Sequence, residues 1–186
     1  MPFFIPGKTK CAICTKPIEN QYEATTLPYI SPEISDTLSK LGRRFVHREC
    51  WNNWKDAGFY ADAAYDLVSR ESTSNSQLKK IFMSRNLILF WVEALSIYQL
   101  KDFDLLVTLD IPSEIYCEIT NLLSLSLMNT EVCEHIQIGQ NVLEGKLIDA
   151  GLEIKVHDDS MIWDKFLVPL SRINYWLRAL KEIQRR

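Results

Sequence analysis

The sequence predicts an α+β protein in which a small N-terminal module precedes a mixed α/β layer that ends in a helix. Residues 1–70 hold five of the seven prolines, which is typical of a small, turn-rich module. Both strand-like alternation and helix-like periodicity occur after residue 76. The polar stretch Glu-Ser-Thr-Ser-Asn-Ser at 71–76 separates the two regions. We therefore predict a module at 1–70 and an acidic α/β domain at 76–186.

The composition favours a globular protein. The chain has 186 residues, 47% of them hydrophobic, which argues against fibrous and intrinsically disordered classes. The N-terminus lacks the pattern of a signal peptide, and the most apolar stretch, 87–95, is short and contains Glu93. We expect a cytoplasmic protein without a membrane span. In that reducing compartment, five cysteines favour metal binding or free thiols over disulfides.

Three helical segments are predicted in the first 100 residues. One helix begins near His47, and a second runs from 59 to 69 with Tyr60, Ala64 and Leu67 on one face. The third covers 77–100, where apolar residues recur at spacings of three and four: Leu78, Ile81, Phe82, Leu89, Val92 and Leu95.

Strands and helices alternate in the remainder. We predict strands at 104–111, 136–138, 152–156 and 161–168, the last two forming a hairpin. A helix starts at Ser113 and reaches about residue 128, and a short one covers 142–148. The final helix follows Ser171 and carries the clearest apolar stripe, formed by Ile173, Trp176, Leu177, Leu180 and Ile183. The hairpin argues against an all-parallel sheet.

The strongest chemical signal is a pair of short motifs. Cys11-Ala-Ile-Cys14 is a C-x2-C turn, and His47-Arg-Glu-Cys50 follows after the long intervening segment 15–46. Three thiolates and one imidazole are ligands that zinc prefers. A C-x2-C turn directs both sulfurs to one centre, and an H-x2-C pair at a helix start faces the same way. Four protein ligands leave no position for water, so a structural Zn²⁺ ion is predicted rather than a catalytic one.

These motifs, with Phe45 and Trp51 flanking the second pair, resemble a treble-clef zinc finger of the LIM and RING type. The resemblance extends from the N-terminus to about Lys55. It implies a metal site made of Cys11, Cys14, His47 and Cys50. We carry over only this site, because the gap is longer than in a LIM half-site and no second set of four ligands follows.

The charge is strongly segregated along the chain. Residues 102–164 contain two lysines against 13 acidic residues, a net charge of −11, although the whole chain is only −3. Such a segment attracts basic partners and repels phosphate backbones. The alternative explanation is that an acidic surface only keeps the protein soluble.

The leading hypothesis is a non-enzymatic, zinc-stabilised protein that binds a basic protein. In size, acidity and lack of catalytic motifs the chain resembles bacterial toxin-immunity proteins, which implies a nuclease-like cognate toxin as the partner. The acidic surface would steer and hold a cationic partner. The residues predicted to contact it are Asp102, Asp104, Asp158, Asp159 and Asp164.

Two alternatives stay open. Arg43, Arg44, Arg48 and Lys55 lie beside aromatic residues, a pattern that fits a zinc-finger nucleic-acid-binding or regulatory protein, although packing of the module explains the aromatics too. An enzyme with a dispersed site is the other alternative. It requires a pocket in which His135 or His157 meets a carboxylate.

Overall fold

The computed structural model describes residues 3–71, 77–113, 115–128, 133–138, 141–157 and 162–185. It confirms the α+β class, with an N-terminal Cys/His cluster, antiparallel sheets and a C-terminal helix packed on a sheet. The chain divides into two units, Met1–Ser76 with Asp102–Val107, and Gln77–Lys101 with Thr108–Arg186. The predicted boundary at 71–76 lies beside this division, but residues 102–107 belong to the first unit.

The first unit contains a two-stranded sheet and three helices. A 3-10 turn at Gln21–Glu23 leads into β1, and the elements are β1 (Ala24–Thr26), α1 (Asp36–Ser39), β2 (Phe45–His47), α2 (Arg48–Asn52) and α3 (Ala57–Glu71). Strands β1 and β2 are antiparallel. Helices α2 and α3 fall where the sequence predicts them, near His47 and over 59–69.

Trp51 and Tyr60 are central to the core of this unit. Both side chains are buried, with ring centroids 6.0 Å apart in an edge-to-face arrangement. The indole N–H of Trp51 donates to the carbonyl oxygen of Asp104 at 2.8 Å, and the Tyr60 hydroxyl donates to the carbonyl oxygen of Pro28 at 2.6 Å. Each polar end is thereby satisfied, so both rings are buried without an unpaired donor.

The second unit contains two antiparallel four-stranded sheets, each followed in the chain by a helix. The first sheet has the order β3 (Leu78–Ser84), β4 (Leu87–Val92), β5 (Ile97–Asp102) and β6 (Val107–Pro112), and α4 (Tyr116–Leu127) follows. The second sheet comprises β7 (Cys133–Ile138), β8 (Asn141–Ile148), β9 (Gly151–His157) and β10 (Ile162–Pro169), and α5 (Leu170–Gln184) follows. Helix α5 packs on β3, β4, β10 and α4, while α4 also packs on β7.

The predicted helix over 77–100 is wrong, because this segment forms β3, β4 and most of β5. A bulge between Lys80 and Phe82 interrupts the alternation in β3. Leu87 to Phe90 are all buried, so β4 is a continuous apolar run without alternation. The tight turn at Arg85 and Asn86 has positive φ at both residues, as a type I′ hairpin turn requires.

The predicted helix over 142–148 is also wrong, because these residues lie in β8. Leu143 and Gly145 are buried on one face of the strand, so a glycine takes an apolar position and conceals the period of two. A Cβ at Gly145 would lie 2.6 Å from a methyl carbon of Leu122 in α4, which explains why no larger residue stands there. The predicted strands at 136–138, 152–156 and 161–168 correspond to β7, β9 and β10.

The remaining elements differ from prediction mainly at their ends. The predicted strand at 104–111 starts later, at Val107, because residues 103–106 form the connection from β5. Helices α4 and α5 are present, but their N-caps are Ile115 and Pro169 instead of Ser113 and Ser171.

Candidate metal centre

Cys11 and Cys14 lie in a tight hairpin whose backbone is closed by hydrogen bonds. The Cys11 N–H donates to the carbonyl oxygen of Lys16 and the Thr15 N–H to that of Cys11, both at 2.9 Å. Thr15 takes a left-handed conformation with φ of 63°. The N–H of Ala12 donates to the carbonyl oxygen of Phe45 at 2.9 Å, which ties the hairpin to the first residue of β2.

His47 and Cys50 come from the junction of β2 and α2. His47 is the last residue of β2 and the N-cap of α2, and Cys50 lies within the first turn of that helix. Residues three apart on a helix share a face, so both side chains point towards the hairpin. Trp51, the next residue, is buried in the core and anchors the helix.

The four ligand atoms form a cluster with metal-site dimensions. One ligand atom each from Cys11, Cys14, His47 and Cys50 lies within 4.8 Å of all the others. The His47 Nδ1 atom lies 3.4 Å from the Cys14 sulfur and 3.6 Å from the Cys50 sulfur. Tetrahedral bonds of about 2.3 Å to sulfur and about 2.1 Å to nitrogen place such atoms about 3.6 Å apart. The residues therefore fit a four-coordinate metal ion.

A hydrogen bond outside the cluster orients the His47 ring. The Nε2 atom lies 3.2 Å from the carbonyl oxygen of Pro17, which has no proton to give, so Nε2–H is the donor. That tautomer leaves the Nδ1 lone pair directed at the sulfurs. Histidine ligands are commonly fixed through their second nitrogen in this way.

The thiols respond differently to their surroundings. Burial by itself raises the pKa of Cys11, but backbone N–H groups of Cys14, His47 and Ile13 hydrogen-bond to its sulfur and lower the pKa to about 7. Burial and the neighbouring thiol groups of Cys14 and Cys11 raise the pKa of Cys50 to about 12. Without a cation the cluster therefore holds a proton on Cys50, and full ionisation needs a positive charge among the sulfurs.

Asp102, proposed from sequence as a partner contact, has a structural role in the first unit. Its side chain is 1% exposed, and its Oδ1 atom accepts hydrogen bonds from the backbone N–H groups of Asp104 at 3.1 Å and Leu105 at 3.2 Å. A carboxylate held in this way is not presented at a surface. The pattern of a charged residue beside an apolar strand does not distinguish a turn-capping carboxylate from an exposed one.

The structure describes the other proposed partner residues in part. Asp104 is partly exposed. Asp158 and Asp159 lie outside the described residues, and for Asp164 the structure describes only the backbone, in β10. Exposed acidic residues elsewhere in the second unit include Asp110, Glu118 and Asp149.

Some acidic residues of the second unit are neutralised internally. Glu153 accepts from Lys165 at 2.7 Å and lies 3.5 Å from Lys155, which also lies 3.5 Å from Glu144. The hydrogen bond from Lys165 is the main reason that the pKa of Glu153 is lowered. His157 lies 3.7 Å from Glu144 within the same network. The negative charge counted from the sequence is therefore larger than the unpaired negative charge that this sheet presents to a partner.

His135 lies at an open cavity of about 640 Å³ in the second unit. Helix α4 contributes Glu118, Asn121 and Ser124, and β7 contributes His135 and Gln137. The Ser124 hydroxyl donates to the carbonyl oxygen of Thr120 at 2.8 Å, so it is engaged by its own helix. The cavity brings a histidine and a carboxylate to one space, without an ion pair between them among the described residues.

A second cavity of about 470 Å³ lies beside the cysteine hairpin in the first unit. Its lining includes Phe3, Lys10, Arg43, Arg44 and Phe45. We call it the basic groove. The sequence singled out the two arginines but not Phe3 or Lys10, although both stand close to Cys11. Among the aromatic residues close to these arginines in sequence, Trp51 and Tyr60 are buried, whereas Phe59 is exposed.

No family model matches this sequence, and no curated protein matches it. In the described parts of the chain, no helix combines the length and apolar character needed to cross a bilayer.

Proposed function

We propose that Cys11, Cys14, His47 and Cys50 hold one structural Zn²⁺ ion. The observation that carries this is the pair of nitrogen–sulfur distances, 3.4 and 3.6 Å, at the separation that a tetrahedral zinc site requires. Zinc would supply the positive charge that three crowded thiols need in order to ionise together. All four coordination positions are filled by the protein, which favours a structural role over a catalytic one.

The metal would contribute much of the stability of the first unit. Its strands have three residues each, and α1 and α2 have four and five. Elements this short are not stable in isolation, and metal binding is then largely folding free energy. Removal of zinc with a chelator is expected to unfold this unit, which amide hydrogen exchange of residues 3–71 would detect.

For the whole protein we propose a non-enzymatic role in binding a basic partner protein, of the kind in which an inhibitor neutralises a basic, nuclease-like toxin. The support is electrostatic. Residues 102–164 carry a net charge of −11, and acidic side chains at Asp110, Glu118 and Asp149 are exposed. Complementary charge accelerates association and helps to exclude wrong partners. The contact residues proposed are Asp104, Asp158, Asp159 and Asp164, and Asp102 is removed from the set because it is buried.

The test is affinity capture with a matched charge control. The tagged protein is incubated with lysate of the source cells at 50 and 300 mM salt, and retained proteins are identified. The proposal predicts one basic protein in stoichiometric amount, released as salt rises and toxic when expressed alone. Replacing Asp104, Asp158, Asp159 and Asp164 by Asn is expected to abolish its retention.

The control variant instead removes four exposed acids from residues 3–71, by Gln replacements of Glu19, Glu23, Glu33 and Glu49. It lowers the net negative charge equally and is expected to retain the partner. Equal loss in both variants would indicate non-specific charge attraction. A partner that is not basic, or retention that ignores the Asn replacements, would contradict the proposal.

A further inference from the structure

The basic groove concentrates positive charge on a rigid part of the first unit. Lys10, Arg43 and Arg44 are all exposed and line it, and no acidic residue contributes to its lining among the residues that the structure describes. The first unit as a whole is close to neutral, with nine basic residues and eleven acidic ones over 3–71 and 102–107. The groove is therefore a local concentration of cations within a balanced surface.

The backbone around the arginines is fixed. The Arg43 N–H donates to the carbonyl oxygen of Leu27 at 2.8 Å, and the carbonyl oxygen of Arg44 accepts from the Leu27 N–H at 2.9 Å. Leu27 is fully buried. The hydrogen bond from Ala12 to Phe45 joins two further residues of the lining, so the backbone around the groove is held in place.

Two residues of the lining adopt a backbone conformation that favours glycine. Arg43 has φ of 62° and Thr15 has φ of 63°. Left-handed backbone is unfavourable for a side chain with a Cβ. The Arg43 guanidinium lies 5.1 Å from the centre of the Tyr29 ring and is held over it, beside the groove. A glycine would suit the backbone here, so the arginine side chain is present at a conformational cost.

Aromatic surface accompanies the charge. Phe3 is 91% exposed, the largest exposed fraction among the large hydrophobic residues described, and Phe45, which also lines the groove, is partly exposed. The Phe45 ring is braced edge-on by Phe4, with centroids 5.4 Å apart. An exposed phenyl ring next to cations suits a ligand that has both anionic groups and flat rings.

We propose that the basic groove binds single-stranded nucleic acid. Lys10, Arg43 and Arg44 would contact phosphates, and Phe3 would stack on a base. An acidic peptide would use the cations but gains less from the exposed ring. A volume of about 470 Å³ accommodates one or two nucleotides, which matches a short contact. This activity is separate from the capture of a basic partner, because it uses different residues, and either can fail alone.

The first measurement is fluorescence anisotropy of a labelled ten-nucleotide dT or rU strand with the whole, zinc-loaded chain. Three phosphate contacts on a single strand give a log–log salt slope of about −2, so affinity should fall about 20-fold between 50 and 200 mM salt. Removal of one cation should lower affinity about fivefold at 100 mM salt and reduce the slope by about 0.7.

Arg43→Gly separates binding from folding. The substitution relieves the left-handed backbone, so the midpoint of thermal unfolding should stay within about 3 °C of wild type while affinity falls about fivefold. Lys10→Gln and Arg44→Gln should behave alike in binding. The charge control is Lys55→Gln, an exposed lysine of the same unit outside the groove, which should leave the affinity unchanged.

Phe3→Ala tests the stacking contact. Because Phe3 is so exposed, the fold should be unaffected, and affinity should fall about tenfold with the salt slope unchanged. Phe59→Ala, at a residue 62% exposed in α3, is the matched control and should bind as wild type.

The proposal is overturned by any of three results. The first is the absence of binding at 50 mM salt, up to a 100-fold molar excess of protein over the strand. The second is binding that the groove variants leave unchanged. The third is displacement of the labelled strand by a lower concentration of polyglutamate than of unlabelled strand. The last result would assign the groove to an acidic peptide. Loss of binding in the groove variants, with both controls intact, supports it.

Discussion

Asp102 provides a direct test of how the connection between β5 and β6 is stabilised. Its carboxylate is 1% exposed and accepts two backbone hydrogen bonds through one oxygen, at 3.1 and 3.2 Å. Asp102→Ala removes both and leaves the N–H groups of Asp104 and Leu105 without this acceptor. A hydrogen bond to a charged group contributes about 1.5–3 kcal/mol, and these are towards the long end, so we expect a loss of about 2–3 kcal/mol.

Asp102→Asn refines the prediction, because the amide oxygen still accepts. This substitution should lower the free energy of unfolding by about 1 kcal/mol, which is the part that the negative charge contributes to the two hydrogen bonds. The control is Asp110→Ala, an exposed carboxylate that accepts from Gln99 and should cost less than about 0.5 kcal/mol. Urea unfolding followed by tryptophan fluorescence measures all three. A free energy of unfolding for Asp102→Ala within about 0.5 kcal/mol of wild type, the range of an ordinary surface substitution, would refute the assignment.

Three further predictions follow from close contacts and titrating groups. Gly151→Ala should cost about 2–4 kcal/mol in thermal unfolding, because φ is 144° and a Cβ would overlap the backbone oxygen of Val168; an unchanged midpoint would contradict this register. Burial raises the pKa of Tyr60, so the contribution of this residue to the free energy of unfolding is complete below about pH 10 and is lost as the pH rises further. Tyr60→Phe should flatten the alkaline loss of unfolding free energy, and a pH profile parallel to that of the wild type would oppose this. Zinc binding at pH 7 should release at least one proton, since the pKa of Cys50 is raised to about 12, and the affinity for zinc should rise with pH. Calorimetry in two buffers of different ionisation enthalpy measures the number of protons released. Release of no proton would count against Cys50 as a ligand.

The metal site could be predicted from sequence because its chemistry is local. Cys11 and Cys14 occupy one turn, and His47 and Cys50 one helix start, so each pair has its geometry set by a few residues. The segment between the pairs, 15–46, need only bring the chain back to the first pair. The α+β class could be predicted from sequence for a similar reason, since the apolar stripe of α5 is continuous and no bulge or glycine interrupts it.

The strands over 78–92 and 141–148 could not be distinguished from helices, because local pattern and tertiary position disagree there. The run from Leu87 to Phe90 is apolar on both faces, which removes the period of two. A Cβ at Gly145 would meet the Leu122 side chain of α4, a contact that depends on the fold.

The functional residues show the same limit. Asp102 is the last residue of β5 and Asp110 lies within β6, and only the fold separates the buried carboxylate from the exposed one. Phe3 and Lys10 gain their place beside Arg43 through the hairpin of Cys11 and its hydrogen bond to β2. Side chains that meet across a long stretch of sequence carry no spacing signal.

The most direct test of the central claim is the metal content of the purified chain and of two cysteine variants, by inductively coupled plasma mass spectrometry. We predict one zinc ion per chain for the wild type, and for Cys117→Ser, which replaces an exposed cysteine outside the cluster. Cys50→Ser should lose most of the zinc and show rapid hydrogen exchange in the first unit. A wild-type chain that folds without zinc, or a Cys50→Ser variant that keeps its full complement, would contradict the account.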